Sequence, residues 1–168
     1  MPRFFYVPPV NPDIEIRLQR PDHPQVVEAL SALDRYLASL YEHEANHILS
    51  IGELLAPEVQ FFAAWQQQRV VGTGAVRQVV GEAPAGERYG EVKRMYVDPA
   101  LRGQRIGSRL VAVLESALCE QGITLAMLET GAAQVEAVRL YERCGYRRRG
   151  PFGGYPDNGL SLFYEKRL

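Results

Sequence analysis

Residues 97–110, VDPALRGQRIGSRL, carry the most legible chemistry in this chain. A β-rich stretch ends at Asp98 and Pro99, a tight turn follows, and from Ile106 onward the apolar residues recur at helical spacing. The first turn of such a helix leaves backbone N–H groups unpaired at the positive end of the helix dipole, which makes an anion site. Gly103 and Gly107 would let a ligand approach the backbone there. Arg102, Arg105 and Arg109 bracket the turn and place guanidinium charge where a pyrophosphate would sit. On local pattern alone, an ordinary strand–helix turn with surface arginines is the alternative.

Other chemistries are poorly supported. There is no GxxxxGK[ST] phosphate loop, and Gly72-Thr73-Gly74 sits inside a strand pattern without the third glycine and helix of a dinucleotide site. No GxSxG elbow occurs. Cys119 and Cys144 have no zinc-type spacing and read as reduced thiols, Cys144 without a partner to activate it. His23, His43 and His47 fall in the N-terminal helical region with no metal or triad spacing, so no metal is expected.

The elements that must position the turn follow from periodicity. Ile14, Ile16 and Leu18 alternate with polar residues as a short strand, and a helix follows with Asp22 as its expected cap and Val26, Leu30, Leu33, Leu37 and Leu40 on one face. Ile48, Leu49, Ile51, Leu54 and Leu55 suggest a shorter second helix that ends before Pro57. Residues 59–65 and 70–80 read as a hairpin joined at 66–69, and a reversal in EAPAGERYG leads to a third strand over about 88–97. An amphipathic helix from Ile106 is closed by Gly122, residues 125–129 resume the sheet, and a helix over 134–144 stops at Gly145. Residues 146–149 and 160–166 close the chain as strands on either side of a glycine- and proline-rich loop. The order βααβββαβαββ implies an α/β (α+β) fold with a mixed, mainly antiparallel sheet of about seven strands and helices on both faces.

The 168 residues, with formal net charge -1, suit one domain over 1–168, residues 1–13 with their four prolines forming an extended arm. That charge supplies no general field for a polyanion, and no apolar run spans a bilayer, so neither nucleic acid nor membrane is expected as a partner. A cytoplasmic monomer or homodimer is the corresponding expectation.

The element order, RGQRIG after VDP and the later LYERCGY together resemble the GNAT superfamily of acyl-CoA N-acyltransferases over about residues 14–168. Its Arg/Gln-x-x-Gly-x-Gly/Ala motif is filled by Arg102, Gly103, Gln104, Arg105, Ile106 and Gly107, with Arg105 where the family has its first glycine. The resemblance implies acetyl-CoA as co-substrate, its pyrophosphate on the amides from Gly103 to Ser108. It also implies that the strand before the turn splays from its parallel neighbour and that pantetheine pairs with Met95, Tyr96 and Val97. Gln134 stands where some members contact CoA through an asparagine. Tyr141 takes the place of the general acid to the departing thiolate, with packing in the core as its alternative.

Two carboxylates answer to family bases: Glu91, read as sharing a strand face with Lys93, Met95 and Val97, and Glu129 at the end of the next strand. Glu91 ranks first. The loop 150–159 is expected to cover the acceptor site through Phe152, Tyr155 and Asn158, the alternative being a long hairpin whose aromatics pack on the sheet. PFGGYPDNG is similar to the PFG-x-Y segment of small-molecule members of the family. The function so implied is acetyl transfer from acetyl-CoA to a small primary amine or amino acid. A non-catalytic acyl-CoA sensor, or an enzyme acting on a protein amine, is the alternative.

Overall fold

The computed structural model describes residues 11–41, 48–81 and 86–168. Most of the expected arm 1–13, together with His43 and His47, lies outside the described residues. The elements run β1 (Ile14–Leu18), α1 (Pro24–Leu40), α2 (Ile51–Leu54), β2 (Val59–Gln66), β3 (Arg69–Val80), β4 (Arg88–Val97), α3 (Ile106–Glu120), β5 (Leu125–Gly131), α4 (Val135–Arg143), β6 (Arg147–Arg149) and β7 (Ser161–Arg167). A short 3-10 turn, Pro99–Leu101, joins β4 to α3.

Two local expectations are corrected by capping. His23, not Asp22, caps α1: its Nδ1 accepts from the Gln25 N–H, while Asp22 pairs with Arg20. Ser50 and Glu53 form a reciprocal capping box, so α2 begins only at Ile51 and leaves Ile48 and Leu49 ahead of the helix.

The seven strands order as β1-β2-β3-β4-β5-β7-β6, and β4–β5 is the parallel pair. On one face, α1 and α2 bury Val26, Leu30 and Leu54 against Phe61, Ala63 and Ala75. On the other, α3 and α4 bury Leu114, Leu118 and Tyr141 against Val76, Val92, Leu128 and Tyr164. Beyond α1 and α2, the first face is covered where β4, β5 and β7 meet by loop aromatics, Phe152 and Tyr155, against Tyr89, Met127 and Phe163. The loop thus contributes core.

Close packing of α3 depends on missing side chains. A Cβ at Gly90 would stand inside the Leu118 side chain, and one at Gly72 would press on Ile106 and Leu110. Gly90→Ala should therefore overpack the α3 face and cost about 1–3 kcal/mol. Urea unfolding checks this, with a lowered midpoint and an unchanged slope as the expected result.

Candidate active site

β4 pairs with β5 only at Gly90–Ala126 and Glu91–Met127, after which the strands part. The departure coincides with a break in β4 itself. Thr73 pairs with Tyr96 and Ala75 with Lys93, so one residue too many lies between them on β4, and Arg94 has φ 56. This is a β-bulge with a non-glycine residue in the left-handed region, at a cost of roughly 1–2 kcal/mol. The Arg94 carbonyl is satisfied by the Thr73 hydroxyl, which donates to it at 2.8 Å.

The bulge overturns one sequence expectation. Glu91 and Lys93 lie opposite Arg77 and Ala75 on the α1 face, whereas Met95 and Val97 pack with Ile106 and Leu110 of α3. Glu91 and Met95 therefore do not share a face.

On the α3 and α4 side, the parted strands open a cleft of about 920 Å³. It is lined by Met95, Tyr96, Val97, Arg102, Gly103, Arg105, Ile106, Gly107, Ser108 and Gln134, ten of the residues assigned to CoA from sequence. Gln104 is not among them, since its amide oxygen accepts from Asn11. Arg109 also turns away from the turn it was expected to bracket and donates to the Asn11 and Ile14 carbonyls, tying β1 to α3. α3 starts with Arg105 at φ 62 and no side-chain cap, so its first-turn N–H donors are left to the cleft. Gly103, at φ 82, has open space around it. Gly107 serves packing as well, because a Cβ there would lie 3.0 Å from Leu140 of α4.

A second, smaller cavity of about 110 Å³ is lined by Lys93, Arg94, Glu129, Tyr41 and Ser161 among others. Leu33, Met95, Gln134, Ala137 and Tyr141 line both cavities, so the two meet at the gap between β4 and β5. Tyr141 is 6% exposed, and burial, with Cys144 and Glu129 beside it adding to the effect, holds its hydroxyl far above the ordinary tyrosine range and hence protonated. Cys144 lines the larger cleft, but burial and Glu115 push its thiol up, away from the reactive thiolate.

The two candidate bases fare differently. Glu129 borders the smaller cavity and its Oε1 accepts from the Ser161 hydroxyl at 2.7 Å. Glu91 borders neither cavity; it is 1% exposed, lies 3.0 Å from Lys93 Nζ and 3.6 Å from Arg77, and accepts from the Tyr155 hydroxyl at 2.7 Å. Tyr155 and Phe152 likewise line neither cavity, and Asn158 accepts from the Leu160 and Ser161 N–H groups as a turn cap. Leu160 and Ser161, at the end of the same loop, are what reach the cavity.

Sequence reasoning missed Tyr41, Lys93, Arg94 and Asp34. Tyr41 accepts from the Ala133 N–H, and a Cβ at Gly131 would overlap its hydroxyl, so that glycine admits it. Arg94 bonds Asp34 of α1 at 2.5 Å. No local sequence pattern announces a bulge at an arginine. Among the described residues, no group of three or more His, Cys, Asp and Glu could hold a metal, and no helix is long and apolar enough to cross a membrane.

The sheet that parts around an uncapped helix start defines an acyl-CoA-type transferase fold, and the chain belongs to the acetyltransferase (GNAT) family, whose profile matches residues 20–146. It is 41% identical over 157 residues to an IAA acetyltransferase of Azospirillum brasilense, covering 94% of this chain and 99% of that one. A Klebsiella pneumoniae structure assigned to the acyl-CoA N-acyltransferases superposes with TM-score 0.77 at 32% identity, over 92% of this chain and 97% of the other. The PaiA N-acetyltransferase of Thermoplasma acidophilum, solved with coenzyme A, shares the fold with TM-score 0.71 at 19% identity, over 92% and 99%. The protein is an acetyltransferase of this family.

Arg105 holds a left-handed backbone that glycine would adopt without strain. Relief of about 1–2 kcal/mol outweighs the roughly 0.5–1 kcal/mol by which glycine favours the unfolded chain. Arg105→Gly should thus raise the thermal midpoint slightly, and calorimetric unfolding of the two proteins would read it.

Proposed function

We propose that the protein transfers an acetyl group from acetyl-CoA to the amine of a small molecule, an amine or amino acid, by direct attack within a ternary complex. The observation that carries this reading is the meeting of the two cavities at Tyr141. The larger takes the CoA portion: the uncapped start of α3 and Arg102 and Arg105 face the pyrophosphate, and the β4 backbone at Met95–Val97, unpaired on its β5 side, faces the pantetheine amides. The smaller takes the acceptor.

Each residue at the gap then has a definable task. Glu129 accepts the proton as the amine nitrogen bonds to the acetyl carbon, and Tyr141 gives its hydroxyl proton to the sulfur as the carbon–sulfur bond breaks. An amide and free CoA thiol result, with no covalent intermediate on the protein. Glu129 is preferred over Glu91 because it borders the cavity, while Glu91 is enclosed by Lys93, Arg77 and Tyr155. The small volume of the acceptor cavity supports a small molecule over a protein amine.

Acetyl-CoA at a hundredfold excess over its dissociation constant should stabilise the fold by about 2.7 kcal/mol, and Arg102→Glu should weaken that response. Absence of any CoA binding by calorimetry at low salt would overturn the reading. In a CoA-release assay, Tyr141→Phe should lose about 10²- to 10⁴-fold in turnover with little change in CoA affinity. Glu129→Gln should displace the pH–rate profile to higher pH, since the amine must then shed its proton unaided. Unchanged turnover in the first variant would return Tyr141 to the core.

A further inference from the structure

Lys93 and Arg94 are adjacent in sequence, and in a regular strand their side chains would point to opposite faces. The bulge cancels that alternation. Arg94 occupies the extra position and reaches Asp34 of α1, on the face where Lys93 stands opposite Ala75, so both cations line the smaller cavity. Two neighbouring charges on one face, held at the expense of a left-handed arginine, call for a physical reason.

Packing alone does not provide one. The Arg94 side chain is only 6% exposed, yet of its five N–H donors the one protein hydrogen bond among the described residues is from Nη1 to Asp34. Its Nε is buried with no hydrogen-bond partner among the described residues. Asp34 is 47% exposed, so water screens much of what it offers the guanidinium. Lys93 is shared with Glu91 and Tyr155, and Glu91 also has Arg77 beside it. Among the described charged residues, Lys93 and Arg94 line the cavity on this side, while their carboxylate partners Glu91 and Asp34 do not border it. Glu129, steadied by Ser161, supplies negative charge elsewhere in the same cavity. A cavity with a cationic wall and a separate carboxylate is complementary to a molecule that carries both an anion and an amine.

We infer that the acceptor bears an acidic group besides its amine, a carboxylate or a phosphonate, and that Arg94, with Lys93 beside it, receives that oxyanion. Glu129 then takes the amine end. This rests on the reading of the smaller cavity as the acceptor site. The fork of the guanidinium suits either oxyanion, and the unpartnered Nε is the donor such a group would satisfy. Arg94 is a specificity residue in this scheme, with Asp34 and the bulge as its positioning elements.

The test compares matched acceptors in the CoA-release assay: amino acids against their carboxamides, and aminoalkylphosphonates against the corresponding amino alcohols, with rates referred to free amine. The acid-bearing member of a pair should be favoured about 10- to 150-fold in kcat/KM, the range of a hydrogen bond to a charged group. Which arm has the larger ratio distinguishes carboxylate from phosphonate. Arg94→Gln should shrink the ratio to within about threefold and Arg94→Lys should retain part of it. Equal use of acid and neutral members by the native protein overturns the inference whether or not the variants fold, as does a ratio unchanged in folded Arg94→Gln. If no amine in the panel releases CoA, acetyl transfer to small amines fails separately. The anion site is then decided by titrating N-acetylated acids and their amides into the CoA-saturated protein: tighter binding of the acids, lost in Arg94→Gln, upholds it, and no difference overturns it.

Discussion

The break in β4 at Arg94 is the constraint on which the rest of the site depends. A strand in the middle of a seven-stranded sheet ordinarily spends its backbone polar groups on both neighbours. β4 keeps its ladder with β3 through the bulge, but it pairs with β5 for only two residues before parting. The backbone beyond that point on the β5 side has no strand to satisfy it, and such groups need partners from solvent or ligand. One irregularity therefore opens the sheet, exposes donors and acceptors along the larger cleft, and lets the two cavities meet at Tyr141.

The surroundings hold this opening in place. α3 lies close to the sheet because Gly72 and Gly90 have no side chain to keep it away, and its uncapped start consequently faces the cleft edge formed by Met95–Val97. Thr73, fully buried, accounts for the Arg94 carbonyl that the bulge removes from the ladder. Below the smaller cavity, Phe152 and Tyr155 cover the part of the sheet that no helix reaches, and the Tyr155 hydroxyl joins Lys93 to Glu91. Burial, with the Glu91 charge beside it, pushes that hydroxyl far above the ordinary tyrosine range, so it stays a donor to Glu91. Through Tyr155 the loop also fixes a partner of Lys93, which lines that cavity.

Much of this was legible in residue patterns. Hydrophobic periods and turn residues yielded every element in order, with bounds that differ mainly where a cap intervened: Ser50 and Glu53 delay α2, and His23 replaces Asp22 at α1. The turn from Arg102 to Ser108 was legible because its signal is local, a glycine-bearing helix start next to a strand end. Glu91 was read onto one face with Met95 and Val97 because strict alternation was carried through β4, and alternation has no means to register an inserted residue.

The sequence by itself determined what depends on near neighbours: strand and helix periods, helix ends, the glycine-bearing start of α3, and through motif spacing the GNAT relationship. The tertiary structure alone decided what depends on register between strands distant in sequence. The bulge exists because Thr73 and Ala75 of β3 select which β4 residues they face, leaving Arg94 extra. That choice brings Arg94 to Asp34, 60 residues away, and sets Lys93 on the same wall. Side chains from Tyr41 to Ser161 converge on one cavity only after the sheet has assembled, and no local rule encodes a pairing between segments so far apart.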